Sequence, residues 1–188
     1  MLLKSECCMF SSCLATVCIQ PHTHTLTLSL SLSKWQASTL FYKTKLDVHN
    51  FAIYNMTSHD VTNYLWHEGE AGLSANEFAS CIVHFLEANP SYEEYILWSD
   101  GCGYQNRNLL LSNALLKFAT EKQKPVKQKF LERGHTQMEC DSVHSVIERR
   151  LRDRDIHVSA EYAAVIRGAR SNPRPYHVRY MDVFFSLT

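Results

Sequence analysis

The chain has 188 residues, 45% of them hydrophobic and 20% charged, which suits one soluble globular domain. No apolar run approaches the ~20 residues needed to cross a bilayer, so a membrane partner is excluded from the reading. The formal net charge is zero, yet residues 1–106 carry 4 basic and 10 acidic residues while residues 107–188 carry 15 basic and 9 acidic, so only the second half offers phosphates an excess of positive charge.

The chain opens on "MLLKSECCMFSSCLATVC", a lysine followed by a mildly apolar run that weakly imitates a signal peptide; its serines and cysteines make the run a poor one. Seven cysteines, four of them in the first 18 residues and three scattered afterwards, do not form the pattern of a secreted disulfide framework, and the body reads as intracellular and reduced. "HTHTLTLSLSLS" (His22 to Ser33) alternates with period two, which on pattern alone is a strand. Its drift from His-Thr through Leu-Thr to Leu-Ser is what a translated CA/CT dinucleotide repeat gives. Residues 1–36 are therefore expected to be a low-complexity segment of non-coding origin, disordered and outside the fold, with the domain occupying 37–188.

From there the elements are ordinary. Phe41 to Met56 and Val61 to Gly69 are aromatic and β-branched, and Thr57-Ser58-His59-Asp60 between them makes a β-hairpin. Ser74 and Glu77 form a capping box that opens a helix with Phe78, Ile82, Phe85 and Leu86 on one face; Asn89-Pro90 closes it. Glu94 to Ser99 is a strand that ends at Asp100. Asn108 to Glu121 is a helix with Leu111, Leu115, Leu116 and Ala119 expected inward. Lys127 to Gly134 is a short strand, Asp141 to Arg154 and Ala160 to Arg170 are helices, and Tyr176 to Phe185 is a last strand or extended tail. A hairpin followed by strands joined through helices predicts a mixed α/β sheet flanked by helices, with sites gathered at strand C-terminal ends.

Two stretches carry chemistry. Asp100 stands where a strand meets the Gly101-Cys102-Gly103 turn. Asp141, His144 and Glu148 fall along one face of a helix that follows His135. A two-metal phosphoryl-transfer site needs carboxylates converging on Mg²⁺ or Mn²⁺ about 4 Å apart, and Asp100 with Asp141 could supply two. The alternative is structural: Asp100 a turn residue, Asp141 a helix N-cap. Zinc on His135, Cys140, His144 and Cys102 matches no strong spacing, and a Cys102 or Cys140 nucleophile paired with His135 has no local signature. Arg149, Arg150, Arg152 and Arg154 make a basic run that either binds nucleic acid or is a solvated helix face beside Asp153 and Asp155.

The blocks "FYKTKLDVHNFAIYN", "LWHEGEAGLSANEFASCI", "SDGCGYQNRNLLLSNAL", "GHTQMECDSVHSVIERR" and "NPRPYHVRYM" resemble, in order and spacing, a family of transposon-derived proteins abundant in insect and other animal genomes. The resemblance covers roughly Ala37 to Phe185. It implies a ribonuclease-H-like core related to DDE-type transposases, with one acid on the first strand, one after the fourth strand and one on a later helix. By that resemblance Asp100 is the second acid, Asp141 the third with Glu148 the alternative, and His135 and Gln137 lie beside the acids or contact the substrate. DNA as a partner, Mg²⁺ or Mn²⁺ in the ancestor and a nuclear location are what it implies further. The departure is at the first acid: no Asp or Glu occurs between Glu6 and Asp47, so the first strand is expected to be missing or replaced and the domain to be catalytically silent. Two alternatives stand beside this: a domesticated nucleic-acid-binding module, or an active Mg²⁺-dependent nuclease if the true N-terminus restores the first aspartate.

Overall fold

The hairpin organises everything around it. Strands β3 (Leu46–Asn55) and β4 (Val61–His67) pair antiparallel from Val48 opposite His67 to Tyr54 opposite Val61. The turn closes with Asn55 N–H donating to Asp60 O at 2.9 Å and His59 N–H to Asn55 O at 2.8 Å, and His59 takes φ 58°, a left-handed conformation tolerated in tight turns. The computed structural model describes residues 14–20, 26–28, 46–100, 102, 103, 105–132, 138–152, 154, 156, 158–182 and 184.

Helix α1 (Ala75–Ala88) starts at Ser74, where the expected capping box is formed and Glu77 Oε2 accepts from Ser74 N at 2.8 Å. Strand β5 (Glu94–Ser99) matches its sequence boundaries. Helix α2 (Leu109–Lys122) is capped by Asn108, whose Oδ1 accepts from Leu111 N at 2.8 Å. Strand β6 (Val126–Phe130), helix α3 (Glu139–Leu151), helix α4 (Ser159–Ala169) and strand β7 (His177–Tyr180) complete the order. None of the described helices is long and apolar enough to cross a membrane.

Two stretches of residues 1–36, the segment expected to stand outside the fold, lie in the sheet, and the first strand, expected to be missing or replaced, comes from one of them. Strand β1 (Leu14–Gln20) lies in the middle of the sheet, antiparallel to β3 and parallel to β5, with Ile19 level with both Ile53 and Ser99. A three-residue strand β2 (Leu26–Leu28), from the period-two segment, pairs antiparallel with β3. "LATVCIQ" alternates small, β-branched and apolar residues without a charge, which is what a strand covered by neighbours on both sides requires. The whole sheet runs β6-β5-β1-β3-β4-β7, with β5–β6 and β4–β7 parallel.

Both faces are covered. Phe51, Ile53, Tyr64, Trp66, Tyr95 and Leu97 pack against α1 and α2. Val48, Ala52, Val61 and Leu65 pack against Val143 and Ile147 of α3 and Tyr162, Ala163 and Ile166 of α4. On α2 the sequence reading needs one correction. Leu116 is 66% exposed, and the inward stripe is Leu111, Ala114, Leu115 and Phe118. At 100° per residue, Leu116 sits about 140° from Leu111 and faces away.

Two outcomes follow from this packing. Phe118→Ala should cost about 3–5 kcal/mol in urea unfolding, while Leu116→Gln should stay within about 0.5 kcal/mol of the parent. A chain starting at Ala37 should lose cooperative unfolding and expose sheet edges of β3 and β5, read as aggregation in sedimentation; a truncated chain with an unchanged unfolding curve would return β1 to a dispensable role.

Candidate functional site

The C-terminal ends of β5 and β1 lie side by side, and Asp100 follows directly on β5. Its half-buried carboxylate turns back on its own loop. Asp100 Oδ1 accepts from Cys102 N at 3.3 Å and from Asn106 Nδ2 at 2.7 Å. Cys102 O in turn accepts from Asn106 N at 2.9 Å and Arg107 N at 3.0 Å, and Gln128 Nε2 donates to Asn106 O at 2.6 Å. Gln105 and Asn106 are 3% and 1% exposed, so the polar pair after the glycine turn is internal framework and not a surface recognition strip. Asp100 thus does the work of an Asx-type turn residue: it supplies an acceptor to donors that burial would otherwise leave unpaired.

Asp141 is the third residue of α3, half-buried. Its Oδ2 accepts from Met138 N at 2.9 Å, and its own N–H donates to Met138 O at 3.0 Å. The N-cap is Met138, one turn earlier than the sequence reading placed it. Methionine offers no oxygen to the helix N–H groups, so the carboxylate reaching back is the half of the capping box that exists, and its charge also suits the positive helix end.

Glu148 is exposed two turns further along α3. It raises the pKa of the Tyr162 phenol, after the larger effect of burial, while the neighbouring Asn50 amide acts to lower it. His144, between Asp141 and Glu148 on α3, is 4% exposed. His135 and Gln137 lie outside the described residues.

The metal readings do not assemble. Among the described residues no three of His, Cys, Asp and Glu come together around a cation position. Magnesium or manganese needs carboxylate oxygens turned to one point, whereas the two bonded oxygens here face a turn and a helix end. Of the zinc set, His135 lies outside the described residues. Cys140 is fully buried with its Sγ donating to Ala52 O at 3.8 Å, and Cys102 sits on the β5–α2 turn. Burial among apolar groups also makes Cys140 a poor nucleophile.

The basic residues are more telling. Arg149, Arg150, Arg152 and Arg154 are all exposed, and none pairs with a carboxylate among the described residues. Arg150 and Arg154 line a cavity of about 570 Å³ floored by Ile156, Ala164 and Val165. The sequence reading missed a second basic group beside Asp100. Lys129 Nζ lies 4.8 Å from the centre of the Trp98 ring, and the Arg107 guanidinium lies 5.6 Å from the centre of the Phe130 ring. The period-two spacing of Lys127 and Lys129 in "VKQKF" was the available signal, since it places both on one sheet face.

Comparison with known proteins gives no match: no family model, no curated protein and no solved structure matches the chain.

The bonding of the two aspartates sets an expected result. Asp100→Ala removes the acceptor of the buried Asn106 amide and should cost about 1–3 kcal/mol, while Asp100→Asn, which keeps a side-chain oxygen there, should cost less. Asp141→Ala should cost about 1 kcal/mol through the lost helix-end bond. Urea unfolding of the three variants checks the order; an Asp100→Ala protein as stable as the parent would mean the loop bonds contribute nothing.

Proposed function

We propose that this chain is a ribonuclease-H-like domain of transposase ancestry that has lost its nuclease centre. The observation that carries the reading is the strand order. Setting aside β2 and the edge strand β7, the sheet runs β4-β3-β1-β5-β6, with the hairpin antiparallel to a central β1 and the two later strands parallel to it. In that arrangement β1 is the first strand, β5 the fourth, and α3 packs across β1 and β3. Asp100 then occupies the place of the second acid, and Asp141 and Glu148 lie on the later helix. The place of the first acid falls on "LATVCIQ", which has no carboxylate. The β1–β5 pairing runs to Ile19 opposite Ser99, the residue before Asp100.

Silence follows from charge and geometry together. With no carboxylate on β1 a cation is one negative ligand short, and one oxygen of Asp100 and one of Asp141 already accept N–H bonds from the protein. What the fold retains is positive charge on a solvated surface. The arginines at the end of α3, which have no carboxylate partner among the described residues, favour binding of nucleic acid, with DNA the partner that the ancestry implies and the nucleus the location that goes with it.

A purified chain incubated with supercoiled or single-stranded DNA and Mg²⁺ or Mn²⁺ should cut no faster than its Asp100→Asn variant; metal-dependent cleavage abolished by Asp100→Asn overturns the reading. Binding to the same DNA should weaken steeply with salt, and each Arg→Ala at 149, 150, 152 or 154 that removes a phosphate contact should reduce the log–log slope by about 0.7–0.9. A salt-independent affinity would remove nucleic acid from the proposal.

A further inference from the structure

At the β7 edge of the sheet, away from Asp100, lies a second cavity of about 350 Å³, small but within the range of ligand sites. Arg167 of α4 and Arg179 of β7 both line it, together with His177, Thr62, Asn89 and the buried Tyr64. Strand β7 pairs parallel with β4, Thr62 opposite His177 and Tyr64 opposite Arg179, so the register sets the histidine and arginine two residues apart on one face. Arg167 reaches the same space from a helix 10 residues earlier in the chain.

The charges around it are unevenly matched. Asp60 is held by Arg174 at 3.0 Å, and Glu87 is turned to Lys122 at 3.9 Å. Arg170 is engaged as well: it donates to Arg174 O and His59 O and lies 4.6 Å from the centre of the Tyr176 ring. Arg167 and Arg179 have no carboxylate partner among the described residues. Two uncompensated guanidiniums sharing one cavity repel each other, and a bound anion relieves that repulsion. The wall on the α1 side is already polarised. Tyr64 Oη and His84 Nδ1 share a hydrogen bond of 3.0 Å, and the His84 pKa is lowered by burial and then by Arg179, against a smaller upward pull from Glu87.

We infer that this cavity binds a phosphate group, gripped by the Arg167 and Arg179 guanidiniums from two sides with His177 and Asn89 at its margin. The planar forks of two arginines match the several oxygens of a phosphate better than the two of a carboxylate. The group comes either from a free phosphomonoester or from a nucleic-acid backbone. The site is independent of the ancestry argued above, and stands or falls without it.

The test follows the His84 and His177 ring resonances of the full chain while inorganic phosphate, acetate, adenosine monophosphate and an unphosphorylated oligodeoxynucleotide are added separately. Saturable shifts with phosphate and with at least one phosphate ester, weakened about tenfold or more in Arg167→Ala/Arg179→Ala, are the expected result. Tighter binding of the monophosphate assigns the free ester; tighter binding of the oligonucleotide assigns the backbone. Lys117→Ala/Lys127→Ala removes the same charge elsewhere, from lysines already paired with carboxylates, and should leave the affinity unchanged. The inference is overturned if phosphate causes no saturable shift, if acetate binds equally well, or if both double variants weaken binding alike. Both arginines of the site are exposed, so the variant is expected to fold, and its undisturbed spectrum outside the cavity verifies that.

Discussion

A sheet buried on both faces needs strands with apolar side chains in both directions, and the β3–β4 hairpin meets that requirement although His49, Asn50, Asn55 and Asn63 are buried within it. Phe51, Ile53, Tyr64 and Trp66 face one pair of helices, and Val48, Ala52, Val61 and Leu65 face the other. The aromatic side chains on the first face also meet edge to face: Phe51 with Phe78 at 5.3 Å and Trp66 with Phe78 at 6.0 Å between ring centres. Because both faces are occupied, every later element has to find its place against this hairpin or against β1 beside it. The C-terminal chain closes the arrangement when β7 adds to β4 and Met181 N–H donates to Leu65 O at 2.9 Å.

The central place of β1 couples the fold to the chemistry. The strand lies between an antiparallel and a parallel neighbour and keeps pace with β5 up to Ser99, the residue before Asp100. Its sequence carries no acid. Asp100 secures a loop and Asp141 secures a helix start, both tasks that a carboxylate performs well without a cation.

Positive charge, by contrast, lies in positions where solvent can reach it. The α3 arginines, the Lys129–Trp98 and Arg107–Phe130 pairs and the Arg167–Arg179 cavity are spread over different parts of the surface. Exposed guanidiniums contribute little to folding and are easily replaced. Among the described residues none of these cations pairs with a carboxylate.

The local signals in the sequence were enough for β4, β5, α1 and the hairpin turn, because alternation, a Ser-x-x-Glu capping box and an Asn-Pro stop are decided by neighbours within a few residues. The approach of Asp100 to the end of a strand was legible for the same reason. Three things were not. That Leu14–Gln20 enters the sheet depends on pairing with residues about 35 and 80 positions away, and a weakly apolar heptapeptide carries no mark of its partners. The outward turn of Leu116 depends on which side of α2 the sheet lies. The bonds of Asp100 to Asn106 and of Asp141 to Met138, and the sharing of one cavity by Arg167 and Arg179, depend on side-chain direction, which only packing sets. By itself the sequence determined the elements and the residues with chemical potential; the tertiary structure alone decided which of those residues face each other, because convergence of groups far apart in the chain is a property of long-range pairing and not of local pattern.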